Sequence, residues 1–151
     1  MNEVDGRWPL FGQCLCGAIT LLVDALAGPL MFCHCRECRK SAGAAFIAVV
    51  PVSIGDFHLR DPLAALKSYR AATHKARYFC ARCGCPIYSA RDASDSVRVR
   101  AGVLQLPPGV ALGAHIYCDD MAGWDKIHDD LPRYAGIEPG REPLSNLKEL
   151  K

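Results

Sequence analysis

The chain has 151 residues, half of them apolar, and a formal net charge of +2. That length suits one domain with a real hydrophobic core, and the balanced composition suits a soluble globular class. So small a charge argues against nucleic acid as a partner, because such binding asks for a strong basic stripe. The longest apolar stretch, Ala42 to Val52, is about half of what a membrane-spanning helix needs and contains Gly43 and Pro51, so no membrane partner is expected.

Residues 1–9 read as a loose lead, acidic at its start and without the apolar segment of a secretory signal. Residues 10–135 carry the patterned material and are expected to form a single domain. The extension 136–151 holds Pro139, Gly140 and Pro143 and then a charged tail. Between them the chain reads mostly as strands. Ala18–Val23 and Phe46–Val50 are rich in β-formers, Lys75–Phe79 leads into a cysteine cluster, and Pro86-Ile87-Tyr88 starts a further apolar run. Ser96–Ala101 alternates polar with apolar, as a half-buried strand should, and Ala114–Tyr117 is another candidate. Gly28-Pro29, Gly55, Pro62 and Pro107-Pro108-Gly109 punctuate these runs. Short helices are expected only over Glu37–Ala42 and Pro62–Tyr69, which makes the domain mainly β.

Nine cysteines are the informative number. An odd count fits a disulfide framework poorly, and in a reducing, cytoplasmic setting clustered cysteines more often bind metal. They fall into Cys14-Leu15-Cys16-Gly17, Cys33-His34-Cys35-Arg36-Glu37-Cys38 and Cys80-Ala81-Arg82-Cys83-Gly84-Cys85, with Cys118 apart. In extended chain, residues i and i+2 share a face, so Cys14 with Cys16, and Cys33 with Cys35, present paired sulfurs. A C-x-x-C turn gathers two thiols, and Gly84 after Cys83 eases the reversal. Four thiolates at about 2.3 Å make a closed structural zinc site, whereas three ligands with one open position describe a catalytic one. Seven ligands allow one of each. If Cys14, Cys16, Cys80 and Cys83 close one site, Cys33, Cys35 and Cys38 remain for the other, but spacing alone permits the pairing to be swapped.

The remaining candidates are weaker. Cys118 and Cys85 read as small buried thiols, although Cys85 could also serve as a ligand or as a redox neighbour of Cys83. His34 lies between two cysteines of one face and should point away from them. His115 sits in an apolar strand as a hydrogen-bonded core histidine. Arg36, Arg39 and Lys40 form a small basic group, read first as solvated surface.

The ordered trio of cysteine motifs resembles the family of glutathione-dependent formaldehyde-activating enzymes, which includes centromere protein V. The resemblance lies in Gly12–Ile19, Cys33–Gly43 and Phe79–Gly84, with Val99–Leu104, His115–Tyr117 and Trp124 in support, and covers about residues 10–135. It implies a β-tent fold whose antiparallel sheets are stapled by a four-cysteine zinc site. It also implies two zinc ions per chain: Cys14, Cys16, Cys80 and Cys83 would hold the structural one, and Cys33, Cys35 and Cys38 the catalytic-type one. The implied activity is that of a carbon–sulfur lyase acting on the adduct of glutathione, or a similar small thiol, with formaldehyde or another small aldehyde. Arg36, Arg39, Lys40 and Arg77 are candidate partners for glutathione carboxylates. Cys85 and Cys118 depart from the family pattern. The rival reading is a non-enzymatic zinc-stapled binding module, since fold does not fix function.

Overall fold

A computed structural model describes residues 8–71 and 74–141. Ten strands form two sheets. The smaller is built from β1 (Leu10–Gln13), β2 (Thr20–Val23) and β5 (Phe57–Arg60), in the order β1-β2-β5 and antiparallel throughout. The larger takes β3 (Leu30–Cys33), β4 (Ile47–Ser53), β6 (Leu66–Ala71), β7 (Lys75–Cys80), β8 (Pro86–Arg91), β9 (Ser96–Arg100) and β10 (Leu112–Ile116). Its order is β10-β3-β4-β9-β8-β7-β6. One short helix, α1 (Arg36–Ala42), follows β3 directly.

The mainly β architecture is as expected, with two differences. The first concerns Pro62–Tyr69, where a helix was expected and the chain instead enters the edge strand β6. The Asp61 carboxylate accepts the N–H groups of Ala65 and Leu66 at 2.8 Å each, and Ala64 takes a φ of 50°. A carboxylate that caps successive backbone donors stabilises a turn against a helix, and pairing with β7 satisfies the rest of the segment. The second is that β10 joins β3 in parallel, so the larger sheet is not wholly antiparallel.

Strand β4 is central and buried on both faces, which explains its unbroken apolar run. Val50 and Val52 enter the main core with Leu10, Ile19, Leu21, Ile87 and Val99. Ile47 and Val49 point the other way, into a smaller cluster with Met31, Cys33, Cys38, Ala114 and Ile116. Proline is unusual in a central strand. Pro51 is tolerated because β3 pairs only with Ile47–Val49, and the Pro51 carbonyl is taken by the N–H of Ala27. Gly12 lets β1 lie against the 101–104 segment. A Cβ there would stand 2.7 Å from the Val103 carbonyl oxygen and 2.8 Å from Leu104 Cδ2.

Candidate metal centres and a basic cavity

The first cluster lies between the sheets. Cys14 and Cys16 occupy the turn after β1, where the N–H of Gly17 returns to the Cys14 carbonyl at 3.0 Å. Cys80 ends β7, and the N–H of Gly84 returns to its carbonyl at 2.7 Å. Gly17 and Gly84 both adopt positive φ, 76° and 74°, so each hairpin reverses without the Cβ clash of another residue. The sulfurs of Cys14, Cys16, Cys80 and Cys83 lie within 4.8 Å of one another. Cys14 to Cys16 is 3.7 Å and Cys16 to Cys80 is 3.8 Å. A tetrahedral ion with sulfur arms of about 2.3 Å has edges of roughly 3.8 Å, so these two separations match such a metal.

The second cluster forms at the junction of β3 and α1. Cys33 ends the strand, Cys35 caps the helix and accepts the Cys38 N–H at 3.3 Å, and Cys38 lies buried in the first turn. Their three sulfurs also lie within 4.8 Å of one another, and no fourth Cys, His, Asp or Glu joins them among the described residues. Hydrogen bonds from Cys33 and Cys35 hold the Cys38 thiol down to about 2, with Lys75 and Arg100 nearby also favouring the thiolate. The same sharing, led by Cys35 and Cys38, pushes Cys33 well above the ordinary thiol range. The nearby cations favour the thiolate form that a metal requires of its cysteine ligands. In the first cluster burial pushes Cys83 up, but backbone N–H groups of Cys85 and Cys16 and the thiols of Cys80 and Cys16 bring it to about 6.

The structure thus brings together Cys14, Cys16, Cys80 and Cys83 in one place and Cys33, Cys35 and Cys38 in another. Cys85 belongs to neither cluster and packs, half-buried, at the margin of the main core. Cys118 lies half-buried in a 3₁₀ turn. Trp124 is exposed on the surface. Of the basic group, Lys40 is exposed as a solvated residue should be, Arg36 is exposed but lies on the rim of a cavity, and Arg39 is half-buried; Arg77 turns inward and donates to Glu37 at 2.8 Å.

His34 points away from the sulfurs, and it is not isolated. Its Nε2 lies 2.8 Å from Nδ1 of His115, whose Nε2 lies 3.0 Å from an Asp129 carboxylate oxygen. An ionised Asp129 carboxylate can only accept from His115 Nε2, which in the neutral ring leaves His115 Nδ1 to accept from His34 Nε2. Both rings are buried, and the His34 N–H also bonds the Ile116 carbonyl at 2.9 Å. This chain fixes the backbone between Cys33 and Cys35 from behind.

Sequence reasoning missed most of the cavity in front of the second cluster. Cys33, Cys35 and Cys38 share its wall with Arg36, Lys75, Arg77, Arg91, Arg98, Arg100 and Arg141. Its volume is about 240 Å³, and it opens along Lys75, Ser89, Arg91, Arg98 and Arg141 into a groove of about 1200 Å³. Lys75 Nζ reaches Cys38 Sγ at 4.0 Å. Tyr117, also on the wall, is held at a φ of 55°, a strained value for a tyrosine.

The sequence profile of the family described as glutathione-dependent formaldehyde-activating enzyme matches residues 9–120, which include all seven clustered cysteines. The chain belongs to this family. A crystal structure of a Rhodobacter sphaeroides protein is similar, with a TM-score of 0.56 and 22% identity over 68% of this chain and 97% of that one. At that identity the likeness speaks for the fold. No curated protein matches the chain at a significant level. The two sheets and the four- and three-cysteine clusters of this family member accord with the β-tent architecture that its motifs imply. No helix among the described residues is long and apolar enough to cross a membrane.

Proposed function

We propose that both clusters hold zinc, two ions per chain, and that the three-cysteine site joins or cleaves a carbon–sulfur bond between a small thiol of the glutathione kind and formaldehyde or another small aldehyde. The observation that carries this reading is the open cluster: three converging sulfurs, with no fourth ligand among the described residues, on the wall of a cavity lined by cations. The four-cysteine cluster is complete in itself and serves as a structural staple. Zinc at the open cluster would supply a thiolate at neutral pH from a substrate thiol whose free pKa is about 8.5.

The chain's own residues then bind and orient. Lys75 and Arg100 lie beside Cys38 and offset the negative charge of the cysteine thiolates. Guanidinium forks on β7, β8 and β9 face the same space and suit carboxylates, which they can hold bidentately. In the addition, the carbon–sulfur bond forms as the carbonyl π bond opens, and the thiol proton ends on the new hydroxyl oxygen. Gathering seven of the nine cysteines into metal-type clusters supports a reducing, cytoplasmic setting.

The test is the rate of adduct formation and breakdown with zinc-loaded protein, followed by NMR with labelled formaldehyde and glutathione. Thiols add to formaldehyde unaided, so the catalysed excess is the quantity to measure. An excess that disappears in Cys38→Ser is expected. No excess, with zinc present at both sites, refutes the reading.

A further inference from the structure

The inner cavity carries more positive charge than its own carboxylates cancel. Arg36, Lys75, Arg77, Arg91, Arg98, Arg100 and Arg141 supply seven cations, opposed by Glu37 and Asp120 on the wall and by Glu138 just beyond it. A divalent metal on three thiolates adds one further negative charge. The excess is three positive charges, in a cavity that opens into the groove.

The hydrogen-bond pattern agrees. Arg77 Nε, Arg91 Nε, Arg98 Nη1 and Arg100 Nε are buried and have no partner among the described residues. Arg100 is only 5% exposed, and its one side-chain bond is a long one, 3.4 Å to Ser89 Oγ. Arg98 and Arg141 share a single carboxylate, Glu138, at 2.8 and 3.4 Å. Burial lowers Arg100 and Arg141 to about 10 each, so both remain charged at neutral pH. Buried N–H donors without acceptors each cost about 1–3 kcal/mol, so a site that keeps four of them is shaped for acceptors that arrive with a ligand.

We infer that this cavity takes a thiol substrate bearing a compact dianionic oxyanion head, with the head on Arg91, Arg98 and Arg141 where the cavity meets the groove, and the sulfur toward Cys33, Cys35 and Cys38. Glutathione, with two carboxylates and one ammonium, has a net charge of only −1 and leaves part of the excess unmatched. A phosphate monoester or a pair of adjacent carboxylates supplies the dianion equally well. This inference rests on the proposed thiol chemistry for its sulfur end, but the anion end is tested separately.

The test is calorimetric titration of zinc-loaded protein at low ionic strength with four thiols: glutathione monoethyl ester, glutathione, γ-glutamylcysteinylaspartate and 4′-phosphopantetheine. Each is also titrated as its S-methyl derivative. Affinity is expected to rise with negative charge, with a dianionic thiol at least about tenfold tighter than glutathione, as one well-placed charge contact implies. The aspartate peptide leading points to a dicarboxylate head, and the pantetheine leading points to a phosphate. Arg91→Met should remove the dianion's advantage, Arg91→Lys should keep part of it, and Glu138→Gln should enlarge it by freeing Arg98 and Arg141. Equal affinity across the charge series in the folded wild type overturns the inference, whatever the variants do. If the charge order persists but S-methylation changes nothing, the anion site stands and the thiol reading falls. If S-methylation abolishes binding without any charge order, the reverse holds.

Discussion

Replacing Gly12 by alanine tests whether close approach of β1 to the 101–104 segment holds the molecule together. The new Cβ would meet the Val103 carbonyl oxygen at 2.7 Å and Leu104 Cδ2 at 2.8 Å, with Leu104 Cα at 3.4 Å. The oxygen is backbone, and Leu104 is buried in the core, so neither contact relaxes by a free rotation. Relief requires β1 to lift by roughly half an ångström. Overpacking of this kind costs about 1–3 kcal/mol. Lifting also strains the bond from the Gln105 N–H to the Phe11 carbonyl, now 2.8 Å, which adds about 1 kcal/mol. A loss of about 2–4 kcal/mol is therefore expected. Urea unfolding at fixed metal content measures it, with Gly55→Ala as the control, because nothing lies within 4 Å of a Cβ at Gly55. The control should stay within about 0.5 kcal/mol of wild type or gain slightly. A Gly12→Ala midpoint indistinguishable from the control refutes the packing argument. Because Cys14 follows β1 by one residue, the variant should also surrender metal faster to a chelator.

Cys80→Ser breaks the four-sulfur cluster. Structural zinc sites contribute about 10–16 kcal/mol, as much as a whole domain's stability, so this variant should lose its cooperative melt and one metal per chain by native mass spectrometry. Cys38→Ser should lose one metal yet keep a cooperative melt, since the other cluster is intact. His115→Phe strands His34 Nε2 in a fully buried position and is expected to cost about 1–3 kcal/mol in urea, with no change in metal content. Burial pushes the Glu138 carboxyl up, but Arg98 at 2.8 Å pulls harder and leaves it below its usual range. Its stabilisation is present above the unfolded value near 4.3 and is lost as pH falls through the folded one. Glu138→Gln should thus lie about 1–2 kcal/mol below wild type at pH 7, and the gap in unfolding curves should narrow progressively as pH falls below the ordinary carboxylate range.

The strands Thr20–Val23, Lys75–Cys80 and Ser96–Arg100 were legible because their composition or alternation matches a pleated surface. So were the sulfurs, because the C-x-C and C-x-x-C spacings and the glycines behind them impose local geometry whatever the rest of the chain does. Which arms meet was not legible from spacing, since contact between residues 64 apart depends on the sheet order. The cavity was hidden for a different reason. The alternation over Ser96–Arg100 correctly sets Arg98 and Arg100 opposite Val97 and Val99, but a polar face reads as solvent-facing. Here it faces an enclosed space, and Arg100 is as buried as its valine neighbours. Alternation reports which residues share a face, not what that face meets. The same limit explains Pro62–Tyr69, where an aspartate cap and an edge pairing outweigh a weak helical preference.

The two clusters also differ in how much chain each must wait for. Cys33, Cys35 and Cys38 span six consecutive residues and leave a ribosome together. The other cluster joins arms 64 residues apart, and closing a loop of that length costs about 4 kcal/mol of chain entropy. A growing chain can therefore carry its first metal on the local triad well before the long-range staple exists. Only when Cys80 and Cys83 emerge can that staple lock β1 to β7, while β10, the parallel neighbour of the triad's own strand, arrives later still. Stalled chains ending near residue 70 are expected to hold one metal loosely, and chains ending near residue 120 two. Equal metal content at both lengths contradicts this order. On the proposed assignment, the three-cysteine cluster is complete before the four-cysteine one, and its thiols depend in the interval on a reducing environment or a waiting metal.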